Sequence, residues 1–238
     1  MGRIFEKRKH KMFARFDRMA KQFTRLGKEI AIAVKQGGPN PDYNPRLRTA
    51  IQNAKSVNMP KDRVDAAIKR ANSKGEGDYE EVRFEGYGPH GVAVLVECAT
   101  DNNTRTVANI RMHFNKGGGS MGKTGSLDFI FTRKGVFKIQ KSALKGMDLD
   151  EFEFALIDHG CEDVAFDEEE LYVYASFESF GAMQKALEDM GIEVTTAELQ
   201  YIPNNYVDGT EEQAQEILDL VERLEGDDDV QYVYHNLK

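Results

Sequence analysis

The sequence is poor in the residues that most metal and disulfide chemistry requires. Two cysteines in 238 residues, Cys98 and Cys161, cannot build a disulfide framework, and a reduced, partly buried state suits the cytosol. The five histidines, His10, His90, His113, His159 and His235, are scattered without HExxH or Cys/His spacing, so no metal site is expected. No apolar run approaches ~18 residues, so no membrane span is expected. No apolar segment follows the basic N-terminus, so no secretory signal is read. No acidic pair stands out by local chemistry. No catalytic residue, cofactor or small-molecule substrate is evident. A C2H2 zinc site, an RRM aromatic signature and a basic region with a zipper are missing too.

The most informative shortage is of acids at the start. Residues 1–28 carry ten Lys/Arg and two acids, Glu6 and Asp17. The whole chain has net charge −8, which argues against a nucleic-acid binder, but the distribution argues for one. Residues 1–75 hold 19 Lys/Arg and 6 Asp/Glu, whereas residues 76–238 hold 13 and 34. A basic segment is joined to an acidic body.

Within that segment, Lys9 to Gln36 has helical periodicity. Phe13, Phe16, Ala20, Phe23, Gly27, Ile30 and Val34 recur at steps of three and four and predict one apolar face. Lys11, Arg15, Arg18, Lys21, Arg25 and Lys28 fall on the other face, a cation stripe with few acids to neutralise it. A solvated outer face would interleave both signs, so the stripe points to an anionic partner. The same features suit a membrane surface, but two helices follow at once to cover the apolar face. Gly37-Gly38 ends the helix. Asn44 and Pro45 then read as N-cap and first-turn proline of a second helix, and Val64, Ala67, Ile68 and Ala71 line a third.

After residue 77 strands alternate with helices. Strands are expected at 82–87, 91–100 and 127–132, with a helix at 104–116. The order βαββαβ, ferredoxin-like, is expected over 136–202, then a helix at 211–224 and a strand at 230–237. The last two elements lack local partners and are expected to return to the middle sheet. The fold class is therefore α+β with three domains: a basic helical domain at 1–77, a discontinuous α/β domain at 78–133 plus 205–238, and a ferredoxin-like α/β domain at 134–204. Gly160, Gly191 and Gly226 sit where helix-ending glycines belong. The acidic runs 167–170 and 227–229 read as solvated loops.

Two glycine motifs invite a nucleotide reading. Gly86 to Gly91 matches GxGxxG, but a β run follows where the fingerprint needs a helix. Gly117 to Thr124 matches GxxxxGK[ST], but its order is helix, loop, strand, so phosphates would meet the wrong helix end. The segment Asp101 to Thr106 joins a strand to a helix N-terminus. It reads equally as an anion site using Arg105 and Arg111 and as a cap by Asn103 or Thr104.

The stretches NPRLRTAIQNAKSVNMPKD (44–62), YEEVRFEGYGPHGVAVLVECATDNNTRTVANIRMHFNKGGGSMGKTGSLDFIF (79–131) and QYVYHNL (231–237) together resemble the YebC/PmpR family. The opening GRIFEKRKHK departs from the family's usual AGHSKWANIKHRK: Phe5 stands where the tryptophan would be, and Lys9-His10-Lys11 resembles the KHR portion. The resemblance implies three domains and a cytoplasmic regulator of gene expression, DNA-binding in transcription or acting in translation on the ribosome. The expected nucleic-acid-binding residues are Lys7, Arg8, Lys9, Lys11, Arg15, Arg18, Lys21, Arg25, Lys28, Arg46, Arg48, Lys61, Arg105, Arg111 and Lys123, with DNA or ribosomal RNA as partner and no membrane. The competing class is an enzyme or small-ligand sensor, for which a buried polar pocket with perturbed titratable groups would speak.

Overall fold

The structure is a computed structural model that describes residues 3–73 and 78–238, with side chains from residue 19 onward. Helix α1 (Arg3–Gly37) packs against α2 (Pro45–Ser56) and α3 (Lys61–Asn72). The expectations for Phe13 and Phe16 fall outside the described side chains. Ala20 is exposed and Phe23 half-buried, so the expected seam deepens only from Leu26 onward. Leu26, Ile30 and Val34 then meet Leu47, Ala50, Val64 and Ala71 in one core. One side chain fixes the turn between α1 and α2. Asn44 accepts from the Leu47 amide at 3.0 Å and donates to the Ala33 and Gly38 carbonyls at 2.7 and 2.9 Å. It thus caps the start of one helix and the end of the other. The chain leaves α1 through Gly38 at φ +85.

The first sheet has the order β3-β1-β2-β8 and contains β1 (Glu80–Tyr87), β2 (Ala93–Thr100), β3 (Ser120–Met121) and β8 (Val230–His235), all antiparallel. Helices α4 (Asn103–Lys116) and α7 (Glu211–Glu225) cover one face, where Val94, Val96, Ile110, Phe114, Leu220 and Leu224 are buried. On the other face Ala93 and Leu95 meet Leu127, Ile130 and Phe131. Burial of both faces explains why β2 is almost wholly apolar instead of alternating.

The second sheet, β5-β6-β4-β7, contains β4 (Phe131–Gln140), β5 (Cys161–Phe166), β6 (Glu170–Ser176) and β7 (Val194–Pro203). Helices α5 (Leu149–Ile157) and α6 (Phe180–Asp189) bury Phe152, Leu156, Met183 and Leu187 against Phe137, Ile139, Leu171 and Val173. Its edge strand β7 packs against α2. Asn53 of α2 accepts from the Ala197 amide at 3.0 Å and donates to the Ala197 carbonyl at 2.9 Å. At Ala197 a side-chain amide thereby supplies the pairing a neighbouring strand would give, and α2 covers that part of the edge.

Three local expectations are corrected. Residues 127–132 are not a strand, because 124–130 are turns and β4 starts at Phe131. Gly160 and Gly191 are left-handed at φ +86 and +68, but Gly226 is right-handed at φ −72. The residues 227–229 are no solvated loop, since Asp229 is buried.

Candidate nucleic-acid interface

Six of the expected phosphate ligands, Lys7, Arg8, Lys9, Lys11, Arg15 and Arg18, lie on the backbone of α1, with side chains outside the described residues. Farther along the helix the stripe changes character. Lys21 is exposed. Arg25 is half-buried and donates to the Glu225 carbonyl at 3.5 Å. Lys28 is not a surface cation at all, and its assignment is corrected. It is 8% exposed, and its Nζ donates to the Ala99 carbonyl at 2.8 Å, the Asp228 carbonyl at 2.7 Å and Asp229 Oδ1 at 3.1 Å. The physical reason is that the back half of α1 is covered on two sides, by α2 and α3 and by the first sheet. Periodicity shows the first cover and cannot show the second.

Asp229 gathers the rest of this node. Its Oδ2 accepts from Arg105 at 2.7 Å and from Thr106 Oγ1 at 2.8 Å. Burial alone would raise its carboxyl, but the hydrogen bonds from Arg105, Thr106 and Lys28 outweigh burial and hold it below the usual carboxylate range. Arg105 also pairs with Asp101 at 2.9 Å. The segment 101–106 is therefore an internal clasp. Its helix is capped by Asn102, which accepts from the Arg105 amide at 3.0 Å, not by Asn103 or Thr104. Arg105 is engaged by two aspartates while its side chain stays half-exposed.

Arg46 is likewise engaged, by Glu81 and by Gln36 Oε1 at 2.7 Å. Arg48 donates to the Pro41 carbonyl at 3.1 Å and keeps an exposed side chain. Lys61, Arg111 and Lys123 are exposed on α3, α4 and the loop after β3. Lys61 shares α3 with three cations that the sequence reading passed over, Arg63, Lys69 and Arg70, all exposed. Arg63 and Arg70 line a groove of about 340 Å³ between α1 and α3, where the Arg63 guanidinium lies 5.6 Å from the Phe23 ring centre. The signal was available in KDRVDAAIKR, whose cations bracket a buried Val64.

The two glycine motifs pack against each other. Gly86–Gly91 is the turn between antiparallel strands, with Tyr87 opposite Ala93. Gly117–Thr124 leads from α4 into β3, which pairs with Gly86 and Tyr87. A Cβ at Gly86 would fall 2.5 Å from the Ser120 carbonyl oxygen and 2.7 Å from the Phe114 ring, and one at Gly119 would fall 2.5 Å from the Tyr87 carbonyl oxygen. Close backbone approach thus explains the glycines. The buried Glu85 carboxylate, which sequence reasoning missed, ties the following loop by accepting from the Gly125 and Leu127 amides at 2.9 and 2.7 Å. Replacing Gly86 with alanine is expected to cost about 1–3 kcal/mol through overpacking, read as a lower urea midpoint. An unchanged midpoint would mean that the two loops part easily.

Comparison with known proteins covers nearly the whole chain. Residues 3–74 match the TACO1/YebC protein N-terminal domain, and residues 79–237 match the TACO1/YebC second and third domain. A probable transcriptional regulatory protein of Cytophaga hutchinsonii is 60% identical over 237 residues, covering 100% of this chain and 98% of the relative. Another from Anaeromyxobacter dehalogenans is 56% identical over 242 residues, covering 100% of both. The crystal structure of a conserved hypothetical protein, Aq1575 from Aquifex aeolicus, superposes with TM-score 0.80 at 39% identity and covers 92% of this chain and 90% of its own.

Proposed function

The chain belongs to the TACO1/YebC family, and from that premise we propose that it is a non-catalytic, DNA-binding regulator of transcription acting in the cytoplasm. The observation that carries this reading is the excess of cations over acids in the helical segment, 19 to 6 over residues 1–75, in an otherwise acidic chain. The cations that serve it are the front half of α1, Lys7 to Arg18, together with Lys61, Arg63, Lys69 and Arg70 on α3. They contact phosphates, which position a nucleic acid without reading its bases. The names of the bacterial relatives support transcription. The bipolar charge supports a second reading, a translation factor whose basic segment enters ribosomal RNA while the acidic body faces protein or solvent. The same proposal divides the chain into domains at 1–77, 78–133 with 205–238, and 134–204. The pairing of β8 with β2 supports the discontinuity. The strand order β5-β6-β4-β7 supports a ferredoxin-like description of the last domain.

The test is a titration of duplex DNA and of structured RNA by fluorescence anisotropy over a range of salt. Log affinity is expected to fall linearly with log salt, each phosphate contact adding roughly 0.7 to 0.9 to the slope. Arg15→Gln with Arg18→Gln, and separately Lys69→Gln with Arg70→Gln, are each expected to weaken binding and to shrink the slope by about 1.4 to 1.8. Arg25 is left intact because it holds the Glu225 carbonyl. Native circular dichroism with unchanged affinity and slope in both double variants would reduce the cations to a solvated face. Preference for duplex DNA or for RNA separates the two readings.

A further inference from the structure

The helical segment and the two sheets enclose a cleft of about 630 Å³ where they meet, within the range of small-molecule sites. Three side chains in its wall, one from each part, have buried polar atoms without a hydrogen-bond partner among the described residues: Glu29 Oε2 from α1, Arg133 Nε from β4, and both amide atoms of Gln231 from β8. Buried polar atoms in folded proteins are nearly always satisfied, so three in one wall call for an explanation.

The placement of Gln231 is built into the sheet. Glu97 pairs with Tyr232 and Cys98 with Val230, which leaves Gln231 as the extra residue of a β-bulge. Bulges re-aim side chains and recur beside functional sites. Gln231 is 6% exposed and lines the cleft. Arg133 lies with its guanidinium 5.0 Å from the Phe177 ring centre and 5.7 Å from that of Tyr201, and forms no ion pair or side-chain hydrogen bond among the described residues. The other two arginines of the wall are occupied, Arg46 by Glu81 and Arg83 by Glu85 and Asp128.

The unmet valences define a ligand. Arg133 Nε and the Gln231 amide nitrogen need acceptors, whereas Glu29 Oε2 and Gln231 Oε1 need donors. A carboxylate supplies the first pair and an ammonium the second. Glu198 and Glu81 act on Glu29 from the same wall, so that end of the cleft attracts an ammonium and repels a phosphate. We propose that this cleft binds a small zwitterion of the α-amino-acid class, with its carboxylate on Arg133 and Gln231 and its ammonium on Glu29. The apolar wall, which includes Ile32, Val82 and Leu199, takes the ligand's side chain. Burial, and next Glu198, pushes the Glu29 carboxyl up to about 7, so ammonium binding to its ionised form strengthens as that proton leaves. None of these residues belongs to the basic face, and the proposal stands or falls apart from DNA binding.

The test is calorimetry and thermal shift on the full chain with each standard amino acid, followed by the N-acetylated and the decarboxylated analogue of any binder. One or more amino acids is expected to give a saturable one-site isotherm, and both analogues to bind about tenfold more weakly or worse. Affinity is expected to rise from about pH 6 to about pH 8 as Glu29 ionises. Arg133→Gln and Gln231→Leu are each expected to lose at least about tenfold in affinity, with native circular dichroism and unaltered DNA affinity. Absence of saturation by any amino acid at millimolar concentration would overturn the proposal. So would analogues that bind equally well, or folded variants with unaltered affinity.

Discussion

Replacing Lys28 with methionine is expected to destabilise the protein by about 3 kcal/mol, the scale on which a broken buried ion pair is costly. Methionine keeps the length and the apolar stem of the side chain. It leaves the Ala99 and Asp228 carbonyls and Asp229 Oδ1 without the ammonium that now serves all three. Arg105 and Thr106 still hold the second carboxylate oxygen, so Asp229 is impoverished but not orphaned. Urea unfolding measures the loss. Hydrogen exchange should locate it, with faster amide exchange in residues 26–34 and 227–230. DNA affinity under folded conditions should keep its salt slope, whereas a phosphate-binding lysine would give up roughly 0.9 of it. A stability change within about 0.5 kcal/mol, normal for a surface cation, together with a reduced slope, would return Lys28 to the phosphate face.

Replacing Glu29 with glutamine is expected to act in the opposite direction, with a gain that grows from about pH 4.5 and levels off above about pH 7. Burial and the neighbouring Glu198 raise this carboxyl from 4.5 to about 7. An acid raised in the folded state binds more protons folded than unfolded. Stability is then fully present below the unfolded value and declines as pH rises from about 4.5 to about 7. The gap corresponds to about 3 kcal/mol lost above pH 7. Glutamine carries no charge and keeps an oxygen for the Tyr232 hydroxyl, which lies 3.5 Å from Glu29 Oε1. The variant should therefore gain up to about 3 kcal/mol over the parent near pH 8, and nothing near pH 4. Denaturation at both pH values checks this. Equal effects at the two pH values, or a loss near pH 8, would show that Glu29 is not the group that is strained by ionisation.

What the sequence made legible follows from how local each cause is. Asn44 before Pro45 announces α2 because the capping bond spans three residues. The turn at Gly86–Gly91 follows from the β run behind it. The residues that join the parts are invisible for the converse reason. Lys28 looks like its neighbours in the cation stripe, and only partners distant in sequence, the Ala99 and Asp228 carbonyls and Asp229, decide that it is buried. Leu127, Phe129 and Phe131 alternate as in a strand, yet the Glu85 carboxylate draws the Gly125 and Leu127 amides into a turn. Gln231 sits in an ordinary β run, and its bulge exists only relative to the register of β2. The candidate cleft is wholly of this second kind, because its polar groups come from three separate elements.

The return of β8 to β2 also governs how the chain must be made. Strand β2 pairs with β1 on one side and waits for residues 230–235 on the other. At translation rates of about 5–20 residues per second, about 6 to 26 seconds separate the emergence of the two strands. During that interval residues 131–203 can complete the second sheet, while one edge of the apolar β2 stays open. Synthesis therefore produces a nascent chain with one finished sheet and one sticky, unfinished edge. A premature stop anywhere before residue 230 releases that edge permanently, so truncated products are candidates for chaperone capture and aggregation even when more than nine-tenths of the chain is present.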